Sequence, residues 1–162
     1  MSSEILRTLV EYHAAQGERL WESVMQLTDE QFVAEAPYSQ GSVRNQLVHL
    51  IAVEGRWLRG LRGEPDARAF QPDPQDYPTR AAARDFWRAN APALPAYVAS
   101  LTDEQCVATL PWMGEPVWQV LTQVVLHAVD HRALVLRLLD EFGAPTFPQD
   151  FIMYLWDRPG AS

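Results

Sequence analysis

Apolar residues recur at intervals of three and four along most of this chain, the spacing that gathers them on one face of an α-helix. A first stripe runs from about Ser3 to Leu27. A second follows Ser42, a natural N-cap, and ends near Gly60 or Gly63. The pattern predicts two amphipathic helices here. Their apolar stripes comprise Leu6, Leu9, His13, Leu20, Val24 and Leu27, and then Val43, Leu47, Leu50, Trp57 and Leu61.

A third helix is predicted after a long loop. Prolines and carboxylates crowd residues 63–78, a composition that neither holds a helix nor builds a core. Thr79 can cap a helix that extends to Leu101. Because Pro92 and Pro95 lie within it, we expect this helix to be kinked or interrupted in the middle.

The fourth helix is the longest and most apolar. Pro116 suits the first turn of a helix, and the segment from Val117 to Phe142 ends at Gly143, with Pro145 just beyond. Residues 147–157 predict a short terminal helix. Since no run alternates with the period of a strand, the predicted fold class is all-α: a four-helix bundle with long loops and a short C-terminal helix, forming one domain over residues 1–162.

An eight-residue motif occurs twice, at an offset of 74 residues. The two copies, residues 27–34 and 101–108, both contain Thr-x-x-Gln, a capping box in which the side chains of Thr and Gln bond reciprocally to the backbone. Each copy therefore predicts a short helix after a long one. Convergence on a good cap and an ancient helix-loop-helix duplication both explain the repeat.

Composition and charge exclude several classes of function. The chain has 162 residues, 13 cationic side chains, all of them Arg, and a net charge of -8, which argues against nucleic-acid partners. Cys106 has no cysteine partner, so no intrachain disulfide is possible, and we interpret it as a small buried side chain. No secretory signal or membrane-length apolar run is present. We therefore expect a cytoplasmic protein.

The placement of histidine suggests a metal site. His127 and His131 are four residues apart, so both imidazoles lie on one face of the fourth helix, within reach of one ion. That face also carries the apolar stripe, so both imidazoles are expected to point into the bundle. A buried imidazole needs a hydrogen-bond partner or a metal ion there. His49, midway along the second helix, is the candidate third ligand. Zincin protease chemistry is disfavoured because no Glu follows His127.

These residues resemble those of a known family. A helix that begins at Ser42 and carries His49, a later helix with His131 followed by Arg132, and a Gly-Ala-Pro ending with Asp150 beyond it are similar to the DinB/YfiT superfamily. Its members are four-helix metal-binding proteins, several of them thiol-dependent enzymes. Many relatives have Gly-Gln after the His-Arg pair, where this chain has Ala-Leu.

The resemblance implies that His49, His127 and His131 bind one divalent ion. Neutral imidazoles suit Zn or Ni, and three protein ligands leave positions open to water or substrate. The alternative is that these are three core histidines whose ring nitrogens are satisfied by hydrogen bonds.

The function that the resemblance implies is metal-dependent transfer of a low-molecular-weight thiol to a small electrophile. The competing hypothesis is a non-enzymatic, stress-induced metal-binding scaffold. We expect a homodimer and no nucleic-acid or membrane partner.

Other polar residues have competing interpretations. Glu54 can accept a hydrogen bond from a metal-bound His, supply a proton, or belong to a solvated charged face. His13 is a conceivable fourth ligand or a core histidine, and Asp130 faces away from the pair. For Asp150 we favour a helix cap. Three tryptophans near loops can line a pocket or belong to the core: Trp57, Trp112 and Trp118.

Overall fold

The computed structural model of the protein describes residues 2–38 and 40–158. Its fold is all-α, as predicted. The helices are α1 (Ser3–Val24), α2 (Asp29–Val33), α3 (Val43–Leu61), α4 (Arg80–Asn90), α5 (Ala93–Ala99), α6 (Asp103–Val107), α7 (Val117–Glu141) and α8 (Phe151–Asp157). Among the described residues no strand forms, and the one β-bridge pairs Thr109 with Pro116.

The long helices pack as a bundle. Helix α7 lies against both α1 and α3, while α4 packs on α3 and α5 packs on α1. The pair α4–α5 therefore occupies the position of the predicted third helix. That helix is interrupted, as expected, because α4 ends at Asn90 and Pro92 caps α5. Pro95 instead lies inside α5 without ending it.

The core consists of two apolar clusters on either side of the middle of the bundle. One gathers side chains of α1, α5 and the first half of α7 around Leu6, Leu94 and Leu121. The other gathers Trp21, Phe32 and further side chains of α1, α3 and the second half of α7. All five of these residues are almost fully buried. The centre of the bundle, between the clusters, holds polar side chains.

The capping residues at the helix ends adopt the roles that the sequence predicts. Thr28 and Thr102 each form a complete capping box and start the short helices α2 and α6. Asp150 accepts a hydrogen bond from the backbone N–H of Ile152 and caps α8, as predicted. Gly143, just past α7, adopts φ of 73°, a left-handed conformation that favours glycine.

In the described part of the chain, no helix is both long enough and apolar enough to cross a membrane.

Candidate metal centre

Three histidines from two helices converge where α3 packs against α7. His49 lies in the middle of α3, and the i,i+4 spacing on α7 stacks His127 and His131 on one side. The Nε2 atoms of His49 and His127 are 3.3 Å apart. One ring nitrogen from each of the three lies within 4.8 Å of the others. The structure thus brings together all three residues that were predicted as ligands.

Gln46 orients one of the three rings. It lies one turn before His49 on α3, is fully buried, and its Oε1 is 2.7 Å from Nδ1 of His131. Since an amide oxygen only accepts, Nδ1 of His131 carries the proton. The lone pair of His131 is therefore on Nε2. Sequence reasoning missed this role, because a glutamine one turn from a histidine has no distinguishing pattern.

The three imidazoles are held in the neutral form. Burial lowers the pKa of His49 to about 4, with the charges of His131, His127 and Arg56 acting in the same direction. Burial also lowers the pKa of His127, and the charge of the neighbouring His131 lowers it further. Burial lowers the pKa of His131 as well, although the carboxylate of Asp130 acts in the opposite direction. Neutral rings at pH 7 have the free lone pairs that a metal ion requires.

The histidines are less deeply placed than their apolar stripe predicted. All three are partly buried rather than part of the core, since they lie at the edge of the interface between α3 and α7. The prediction that they face the interior is correct only in part. His49 borders a surface cleft of about 250 Å³, so a small molecule can approach the ring of His49 from solvent.

The donor set fits a divalent ion with open coordination positions. Within residues 2–38 and 40–158, no carboxylate or thiolate joins the three nitrogens. Three neutral imidazoles are the ligand set of catalytic sites for borderline metals, in which solvent or substrate completes the shell. Hereafter the group His49, His127 and His131 is called the histidine centre.

His13 and Glu54 belong to a separate polar network in the middle of the bundle. Nε2 of His13 is 2.7 Å from Oε2 of Glu54, and Arg132 Nη1 is 3.0 Å from Nδ1 of His13. Because a guanidinium only donates, Nδ1 of His13 accepts and its Nε2–H donates to Glu54. Both nitrogens of His13 are thus occupied. It is not a fourth ligand, and Glu54 supports His13 rather than a residue of the histidine centre.

Arg132 anchors this network from α7. It is 1 % exposed, and its Nε donates to Oε1 of Gln149 at 2.7 Å. Gln149 also accepts a hydrogen bond at its backbone oxygen from the hydroxyl of Tyr12. Burial lowers the pKa of the Arg132 guanidinium. The sequence resemblance included Arg132 but did not indicate this structural role, which ties α8 and its preceding loop to the bundle.

The remaining candidates lie outside the histidine centre. Asp130 is exposed on α7, as expected. Cys106 is completely buried, and burial raises the pKa of its thiol, which agrees with an unreactive filler. Trp57 and Trp112 face each other with ring centroids 6.3 Å apart and line a groove of about 800 Å³. Trp118 packs against the first core cluster.

The comparison with protein families agrees with this fold. A comparison with curated proteins finds no match for the sequence. The model of the DinB family, in contrast, matches residues 1–160, which is nearly the whole chain. The all-α bundle with its histidine centre is therefore that of a protein that belongs to the DinB family.

Proposed function

We propose that this protein is a metal-dependent enzyme that transfers a low-molecular-weight thiol to a small electrophile, with zinc or nickel as its ion. The observation that supports this most is the histidine centre: three neutral imidazoles, with one nitrogen of each within 4.8 Å of the others, of which His49 borders a surface cleft. A closed structural site would present a fourth protein ligand. Family membership supports metal binding independently of the geometry.

His49, His127 and His131 would hold the ion, which would supply the Lewis acidity that favours the thiolate form of a thiol at neutral pH. The chain contributes position and protonation state. Gln46 keeps the proton of His131 on Nδ1 and so leaves the lone pair of Nε2 free. Partial burial keeps His49 uncharged, so that protons compete weakly for its nitrogen.

The reaction balances without an oxidant or reductant. A bond forms between the thiol sulfur and the electrophilic carbon, while the leaving group departs with its electron pair and the thiol proton passes to solvent. No residue of the chain needs to become covalently attached. Cys106 has no part in this scheme because it is buried and its thiol pKa is raised.

The test is conjugation of N-acetylcysteine to 1-chloro-2,4-dinitrobenzene by zinc-loaded and nickel-loaded protein, followed by absorbance. We expect catalysis above the solution rate, its loss in His131→Ala, and its retention in Asp130→Ala, a change at the neighbouring exposed position. Equal rates for wild type and His131→Ala, or no rate with several cellular thiols, would contradict the proposal.

A second candidate is a non-enzymatic, homodimeric metal-binding protein. Large apolar side chains remain exposed and are the kind that a second copy would cover, namely Leu126, Ile152, Met153 and Trp156. Under this alternative the ion stabilises the folded bundle. Chelation would then abolish cooperative thermal unfolding, whereas a catalytic ion can be removed with the helical content intact. Circular dichroism before and after chelation separates the two.

A further inference from the structure

Arg56 stands in the surface cleft beside the histidine centre. The cleft is bordered by His49 and Arg56 of α3 and, opposite them, by Gln71, Pro72 and Pro74 of the loop after it. In the part of the chain that the structure describes, Arg56 alone among the lining residues carries a formal charge. The cleft is therefore locally positive on a chain whose net charge is -8.

The guanidinium of Arg56 is not neutralised by a carboxylate. Within the described residues it takes part in no salt bridge, and its one hydrogen bond is a long contact of 3.4 Å from Nη1 to the backbone oxygen of Phe70. The neighbouring Arg59, in contrast, pairs with Glu64. Most donors of Arg56 are thus available to a ligand, and a guanidinium is well suited to grip a carboxylate.

The position of Arg56 relative to His49 sets the size of that ligand. Seven residues separate them on α3, which is two turns and roughly 10 Å along the axis. Helical side chains leave the backbone toward the N-terminus, so that of Arg56 extends toward His49. A molecule that reaches both must therefore carry its anionic group within roughly 10 Å of the atom at the histidine centre.

Arg56 also borders the larger groove next to the cleft. That groove has Trp57 and Trp112 on its walls, and Gly60 lets the Trp112 ring lie against α3, since a Cβ there would come within 3.2 Å of the ring. Aromatic surface therefore adjoins Arg56 in a groove that is also lined by Glu64, Asp66 and Arg68. The arrangement suits a thiol held at the cleft and an apolar electrophile held in the groove.

We propose that Arg56 determines substrate specificity by binding the carboxylate of the thiol substrate, so that the substrates are small thiols carrying a carboxylate. This inference rests on the proposed function for the identity of the ligand as a thiol. Arg56 is a binding residue, and its positive charge also offsets the repulsion that an anion meets from the acidic chain.

The test compares two probes that differ only in charge, N-acetylcysteine and N-acetylcysteinamide, by isothermal titration calorimetry. We expect wild type to bind N-acetylcysteine about ten-fold more tightly than N-acetylcysteinamide, because one charge-assisted hydrogen bond contributes about that much to affinity. Arg56→Gln removes that preference and Arg56→Lys keeps part of it. Arg88→Gln, which makes the same change at an exposed position of α4, keeps all of it.

Each titration is performed on metal-loaded and on metal-free protein, with helical content checked by circular dichroism. A wild type without preference for the acid, or a preference that survives in folded Arg56→Gln, overturns the inference. Failure of the proposed function looks different: no conjugation occurs, while the preference of the metal-free protein for the acid still depends on Arg56. Conjugation without any preference means that only the role of Arg56 is wrong.

Discussion

At the residue scale, the buried side chain of Gln46 fixes the protonation of one ring of the histidine centre. Its Oε1 accepts from His131, and no other described side chain is hydrogen bonded to that ring. Without the acceptor, the ring can rotate, which moves Nε2, or exchange tautomers, which places the proton on Nε2 and removes its free lone pair. Partners of this kind typically change metal affinity 10- to 100-fold.

We therefore expect Gln46→Leu to weaken zinc binding by roughly 10- to 100-fold in a competition titration with a chromophoric chelator. Gln46→Glu is the matched control, since a carboxylate at the same position still accepts from His131. Its affinity should equal or exceed that of wild type. Equal affinity of wild type and Gln46→Leu would show that the hydrogen bond does not orient the ring.

The neutral state of His49 has a consequence for stability in metal-free protein. Its pKa is about 4 in the folded chain and near 6.5 when exposed, so between these values the unfolded state binds more protons. The free energy of unfolding therefore falls as the pH falls from 7 to 5. With partial exposure taken into account, the contribution of His49 is about 1 kcal/mol.

Urea unfolding of metal-free wild type and His49→Gln at both pH values measures this contribution. We expect a smaller loss of stability in His49→Gln, because glutamine does not titrate, while the carboxylates affect both proteins equally. A loss as large in His49→Gln as in wild type would show that His49 is not held neutral by its surroundings.

At the scale of elements, local patterns predicted most of the fold. The bounds of α1, α3 and α7 follow from apolar periodicity and caps, and Pro92 explains the break between α4 and α5. Periodicity also selected the three histidines. It could not show that they lie at the edge of a helix pair, because depth depends on which neighbours cover the stripe.

The repeated capping boxes provide a test at this scale. Thr28→Ala and Thr102→Ala each remove the side-chain acceptor for the backbone N–H of a glutamine three residues on. Each should lower the free energy of unfolding by about 1 kcal/mol in urea titrations. Thr28→Ser and Thr102→Ser keep the acceptor and should stay close to wild type. A cost for serine equal to that for alanine would mean that the hydroxyl is not the stabilising group.

At the scale of the whole molecule, two apolar clusters hold the bundle together and a polar middle lies between them. The network of His13, Glu54 and Arg132 joins three different helices, α1, α3 and α7. Such contacts were not predictable from the sequence, since none of the three residues belongs to a recognisable motif and they come together only when the helices pack. The position of Arg56 in the cleft was not predictable for the same reason.

The core contains no residue of the histidine centre, because the buried apolar side chains of α1, α3, α5 and α7 pack among themselves. We therefore predict that removal of a bound ion leaves the helical content of the protein intact. This separates the histidine centre from closed zinc sites, in which binding free energy is folding free energy.

The most direct test of the central claim is the metal content of purified protein after loading with zinc or nickel and desalting, measured by elemental analysis. We predict one ion per chain in wild type and in His13→Gln, and almost none in His49→Ala, with helical content unchanged in all three. An equal ion content in wild type and His49→Ala, or wild type without stoichiometric metal, would contradict the assignment of the histidine centre.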